Sequence, residues 1–168
     1  MAFGMHQASL PAFVTMLNSL HAILDKAEHF AEERKIAPEV LLNWRLAPDM
    51  FPLTRQVQIA SDMAKGAAAR LAGRDVPKYA DDEASFGELK ARVAKTVKFI
   101  ESVAPKDFDG SEDRDIALTV GGQEMRFKGA PYLTHFVLPN LYFHATAAYA
   151  ILRRCGLEIG KRDFLGGI

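Results

Sequence analysis

The chain has 168 residues, 49% of them hydrophobic and 25% charged, which suits one soluble domain able to bury a core without a disulfide or a structural metal. Its 21 Lys and Arg balance 21 Asp and Glu, so it lacks the positive excess with which nucleic-acid or anionic-membrane binders attract phosphates. Cys155 is the single cysteine, which excludes an intrachain disulfide and a four-cysteine zinc site.

The stretch Met1 to His6 has neither the basic nor the apolar region of a secretory signal, and no membrane-length apolar run follows. A cytoplasmic location is expected, and a lone reduced thiol is compatible with it. One helical domain over residues 1–168 is expected, with no repeat and no low-complexity tract.

The first predicted helix opens at Ser9 as N-cap, with Pro11 in its first turn. Phe13, Leu17, Leu20, Leu24, Ala27 and Ala31 then recur at steps of three and four, one apolar stripe on a helix of about 24 residues. Pro38 can open a short helix through Leu42. Pro48 and Pro52 then block continuous helix. The second long helix is predicted from Pro52 to Leu71, with Leu53, Val57, Ala60, Ala64 and Ala67 inward and Gly73 suited to its C-terminal cap. Its many small residues predict close approach of a neighbouring backbone. Ser85 and Glu88 make a capping-box pair for the third helix, which runs to about Val103 before Pro105.

The period then changes. Ile116, Leu118 and Val120 alternate with smaller residues, Gly121-Gly122 follows, and Gln123 to Phe127 reads as a return strand. Such a hairpin is marginal alone and should pack on the helices. The last helix is predicted over Tyr132 to Arg154, kinked or broken at Pro139, with Gly156 as its stop. The tail from Gly160 to Gly166 shows no helical period. The whole reads as all-α: a four-helix bundle with a small β-hairpin between helices three and four.

No phosphate loop, dinucleotide fingerprint or nucleophile elbow is present. Cys155 falls at a helix C-terminus, without the N-terminal dipole that activates a thiol. Asn140 and His144 stand at i, i+4, which puts both on one helical face, as two ligands of one metal require; a helix hydrogen bond or a core histidine fits the same spacing. Gln58 and Asp62 repeat that spacing on helix two, as a mutually bonded pair on a wet face or as a polar cluster inside the bundle. Arg45, Asp49 and Arg55 surround the two-proline connection beside Trp44 and Phe51. Together with Phe164 of the tail these form an anchored loop cluster or hold an anionic ligand.

The segments Arg45-Leu-Ala-Pro-Asp-Met-Phe-Pro-Leu53, Gln56-Val-Gln-Ile-Ala60, Pro139-Asn-Leu-Tyr-Phe-His144 and Gly160-Lys-Arg-Asp-Phe-Leu165 resemble the DinB/YfiT-like superfamily of four-helix bundles, in a bacterial branch classed only as a domain of unknown function. The resemblance implies a pocket and a metal site with one ligand on helix two and an i, i+4 pair on helix four. Those positions fall on Gln58, Asn140 and His144, of which only His144 keeps strong ligand chemistry for zinc, nickel or manganese. It also implies a homodimer. Three functions follow as expectations: a bundle with a small-molecule pocket and a degenerate metal site, with Asp62, Arg45 and Asp49 as further pocket residues; a metal-dependent transferase or hydrolase acting with a low-molecular-weight thiol or small electrophile; or a dimeric structural or interaction protein.

Overall fold

Helix α1 spans Met5–Glu33 in the computed structural model, which describes residues 3–166. Met1 and Ala2 of the N-terminal reading, and the last two positions of the expected domain, lie outside the described residues. The helix begins four residues before the predicted N-cap. Gly4 caps it, with its N–H on Gln7, and the Ser9 hydroxyl donates back to the Met5 carbonyl at 2.6 Å. Ser9 ahead of Pro11 mimics a helix start, but burial of Ser9 and Leu10 draws the earlier turn onto the core.

Helix α2 (Pro38–Leu42) opens on its proline as predicted, and α3 follows from Leu53 to Leu71 with Pro52 as N-cap. Helix α4 spans Phe86–Glu101. Its Ser85 cap accepts from the Glu88 N–H at 3.2 Å, and Glu88 reaches back to the Ala84 N–H at 2.7 Å. Helix α1 lies along α4, and α3 packs against both α4 and α6 (Leu138–Arg154). Helices α3 and α6 pack together, and Ala60, Ala64, Ala67 and Ala68 of the one and Ala145 and Ala148 of the other are all sealed from solvent. The core between the layers is filled by Phe13, Leu17, Leu24, Val57, Leu89, Ile100, Leu141 and Ile151.

Strands β1 (Asp115–Val120) and β2 (Gln123–Lys128) pair antiparallel, with Val120 opposite Gln123. Gly121 and Gly122 have φ of 57° and 81°, the left-handed pair that a two-residue hairpin turn of matching twist requires. The hairpin docks through buried Ile116 and through Phe127, whose ring lies 5.4 Å from Phe136 and 5.9 Å from Tyr132. One helical turn, α5 (Gly129–Pro131), leads into a π-helical stretch over Tyr132–Val137 and then α6. The predicted break at Pro139 is therefore a widening just before the proline, which relieves the clash of its ring with the preceding turn. The tail corrects its expectation: Lys161–Leu165 forms α7, too short to show a period. Asp163 caps it by accepting from the Gly160 N–H at 2.7 Å and pairs with Lys26 of α1 at 2.6 Å. Among the described residues no helix is long and apolar enough to cross a membrane.

Candidate functional site

The two-proline connection delivers α3 with its first turns tied to α2. The Leu53 N–H donates to the Trp44 carbonyl at 2.9 Å, and the Thr54 hydroxyl donates to the Leu42 carbonyl at 3.1 Å. From there α3 presents Arg55, Gln58 and Asp62 to the extended segment 79–83 that leads into α4. Arg55 pairs with Asp81 at 2.6 Å and donates to the Gln58 amide oxygen at 3.1 Å, while the Gln58 amide nitrogen donates to Glu83 at 2.8 Å.

Arg92 of α4 is the centre of this cluster. Its guanidinium, 2% exposed, meets Asp62 at 2.9 Å, Asp81 at 3.0 Å, Glu83 at 2.8 Å and the Ala80 carbonyl at 2.9 Å. Burial works against the cation, but Glu83, Asp62 and Asp81 together raise its pKa above the ordinary value. Burial also pushes Asp81 up, and Arg55 and Arg92 overcome it and hold that carboxyl below its usual range. Tyr79 covers the other side, with the Lys65 ammonium 3.7 Å and the Lys95 ammonium 4.2 Å from its ring centre. Between α2, the start of α3 and this segment lies a cleft of about 460 Å³, lined by Glu39, Thr54, Arg55, Gln58, Asp82 and Glu83 among others.

The second polar feature is the buried face between α3 and α6. His144 enters from α6, and its Nδ1 lies 2.7 Å from the Gln56 amide oxygen; the Gln56 amide nitrogen donates to the Phe51 carbonyl at 3.0 Å. Burial, then the charge of Arg55, lowers the pKa of His144, so the imidazole is neutral near neutrality. The Phe143 ring stands edge-on at 5.2 Å.

The residues expected to act together each bond a different partner, while Arg55, which bonds Gln58, also acts by its charge on His144. Gln58 belongs to the cleft, His144 to the α3–α6 face. Asn140 gives its amide N–H to the Phe136 carbonyl at 2.7 Å, the helix bond that its spacing allowed. Gln58 and Asp62 do not bond each other, because Glu83, Arg92 and Lys65 offer charged partners to each. Arg45 donates to the Met50 carbonyl at 3.0 Å on the surface, and Asp49 is exposed; neither lines the cleft. Trp44 and Phe51 are 42% and 53% exposed, so the expected loop cluster is not anchored by them; Phe164 alone packs inward, edge-on to Tyr149. Burial raises the Cys155 thiol, which fits an inert role.

A transition-metal ion does not fit these donors. Among the described residues no three His, Cys, Asp or Glu side chains are placed to hold one ion, the carboxylates of Asp62, Asp81 and Glu83 being gathered around the Arg92 cation, and both ends of the Gln58 amide are engaged. A single imidazole with neutral amides holds such an ion weakly. Gln56, Glu83 and Arg92 are the residues that sequence reasoning missed. Gln56 carried a visible signal, since it falls three after Leu53 and four before Ala60, a polar side chain on an apolar stripe.

Residues 5–165 match the family described as a domain of unknown function, DUF1993. The crystal structure of a DinB family member protein from Shewanella denitrificans is similar to this chain at a TM-score of 0.90 and 42% identity, over 97% of this chain and 92% of that one. No curated protein matches.

Proposed function

Because this chain belongs to the DUF1993 family and is DinB-like, we propose that it is a small-molecule-binding bundle whose cleft beside α3 takes a cationic polar ligand. The observation that carries this is the charge of the cleft wall: Glu39, Asp81, Asp82 and Glu83 stand against two guanidiniums, Arg55 and Arg92, which pair Asp81 and Glu83, so Glu39 and Asp82 are left as the excess negative charge. The buried Gln58 and Arg92 fix Glu83 and Asp81 in place, so the acceptors are oriented before a ligand arrives. A cytoplasmic setting goes with this reading, since it keeps Cys155 reduced.

Calorimetric titration with 1,4-diaminobutane, against succinate as the anionic counterpart, tests the charge preference. Saturable diamine binding that weakens with salt and with the Glu39→Gln/Asp82→Asn pair is expected. Succinate binding, or diamine binding indifferent to that pair, overturns it. The metal-dependent transferase or hydrolase is the competing chemistry, with His144 as its one strong donor. Elemental analysis of protein purified without a metal-affinity tag, and melting with zinc, nickel or manganese, decides between them: a stoichiometric metal lost in His144→Ala favours the enzyme.

One further observation supports the homodimer. Leu46, Tyr142 and Phe143 are 41%, 39% and 57% exposed and, with Pro139, Ala147 and Ala150, line an apolar hollow of about 390 Å³ that carries no charge. An uncharged patch holding both a protruding ring and a hollow can complement itself across a two-fold axis.

A further inference from the structure

We propose that Phe51, Gln56 and His144 form a fixed hydrogen-bond chain that presents the bare Nε2 of a neutral imidazole as an acceptor, for a ligand that donates N–H or O–H. The direction of the chain follows from the groups. A backbone carbonyl only accepts, so the end of Gln56 that lies 3.0 Å from the Phe51 oxygen is its NH₂. The opposite end, 2.7 Å from His144 Nδ1, is then the amide oxygen, which also only accepts. Nδ1 must carry the proton, and in a neutral imidazole Nε2 is left bare.

Nothing in the surroundings favours a second proton. His144 is nine-tenths buried, no carboxylate bonds to it among the described residues, and the nearby charge is that of the Arg55 cation. Nor is Nε2 sealed. The buried side-chain nitrogens and oxygens without a partner among the described residues are Ser61 Oγ, Arg92 Nε and Ser111 Oγ; Nε2, which bonds no protein group, is not among them and so is not fully enclosed. Asn140 stands one turn earlier on α6. Its N–H is given to Phe136, which leaves Oδ1 as a second acceptor on the same helix face. Two acceptors on one helix face suit a ligand that presents two N–H or O–H groups, such as a primary amide or a diol. Free histidine prefers the Nε2–H form, so Gln56 is a positioning residue that inverts the preference. The chain stands whether or not the α3 cleft is occupied.

Long-range ¹H–¹⁵N correlation of His144 at neutral pH reads the tautomer directly. Wild-type protein is expected to show protonated Nδ1 and bare Nε2, and diethyl pyrocarbonate is expected to modify His144, mapped by peptide mass. Gln56→Leu removes the acceptor and should move the tautomer ratio about tenfold toward Nε2–H, slowing that modification by a similar factor. Gln56→Glu sets a carboxylate against Nδ1 and should instead give the imidazolium spectrum, a change that no purely structural role of Gln56 produces. An Nε2–H or doubly protonated ring in the wild type, absence of wild-type modification, or an unchanged tautomer in folded Gln56→Leu overturns the proposal. Should Gln56→Leu not fold, the wild-type spectrum and Gln56→Glu decide it.

Discussion

Replacing Arg92 by Met removes the hub of the cleft wall while keeping most of its aliphatic volume. The guanidinium leaves behind three carboxylates in unequal positions. Asp81, 41% exposed, keeps Arg55, and Asp62, 33% exposed, keeps Lys65. Glu83, 10% exposed, retains only the Gln58 amide. Breaking a buried ion pair from one side costs about 3–5 kcal/mol, and because two of the three carboxylates keep a cation and some water, the lower end applies, about 3 kcal/mol. In a domain of this size that lowers Tm by roughly 6–12 °C. Urea unfolding at neutral pH followed by circular dichroism measures it.

The acid branch gives a second readout with a definite sign. Asp81 has a folded-state pKa below its ordinary value, so the unfolded chain takes up the proton first. Its contribution is complete above the ordinary carboxylate range and disappears as pH falls through the folded value. Arg92→Met forfeits part of that contribution in advance, so the stabilities of wild type and variant converge in acid. Adding Glu83→Gln to Arg92→Met should restore about 1 kcal/mol by removing the stranded charge. A loss below about 1 kcal/mol at neutral pH, or parallel acid branches, would mean that solvent screens the cluster and that it does not preorganise the cleft.

A Cβ at position 129 would overlap the Ser111 carbonyl oxygen, so Gly129→Ala should cost about 3 kcal/mol, seen as a lowered urea midpoint at unchanged slope. The depressed pKa of His144 stabilises the fold fully above the ordinary histidine value and less as pH falls below it, since the unfolded chain protonates first; His144→Leu should flatten that part of the stability–pH curve. Tyr132→Phe deletes the hydroxyl that accepts from Arg70 at 3.1 Å in a 1% exposed side chain and should cost about 1 kcal/mol by thermal melting. Phe143→Glu puts a charge on the apolar hollow and should halve the mass in light scattering without lowering Tm; a monomeric wild type at high concentration refutes the dimer.

What the sequence exposed was local. Pro38, the Ser85–Glu88 pair and Gly121-Gly122 each act within a few residues, and each stands where the spacing placed it. Ser9 shows the limit of the same logic: its cap chemistry is real, but the buried Leu10 side of the turn extends the helix past it. The site was less legible because its partners are distant in the chain. Gln58 and Asp62 satisfied each other on paper at i, i+4, whereas in the fold they meet Glu83 and Arg92, 25 and 30 residues away. For Gln58 a carboxylate, and for Asp62 two cations, outcompete the local amide–carboxylate bond, and no periodicity reports such distant partners. Gln56 was legible in principle as a polar residue within an apolar stripe, but its partner His144 lies 88 residues on.

The position of His144 depends on a feature that serves no chemistry of its own. Pro139 has no N–H and its ring excludes a regular turn beneath it, so the chain widens over Tyr132–Val137 before α6 resumes. One residue more in a turn rotates everything after it by about 100° relative to everything before it. Within the widening, Tyr132 and Phe136 pack at a tilt against Phe127 of the hairpin; after it, Leu141, His144 and Ala148 are buried, with His144 bonded to Gln56 of α3. The hairpin therefore contributes to the site without touching it. By fixing the phase of the chain ahead of Pro139, it leaves the later turns in the register that brings the imidazole against Gln56.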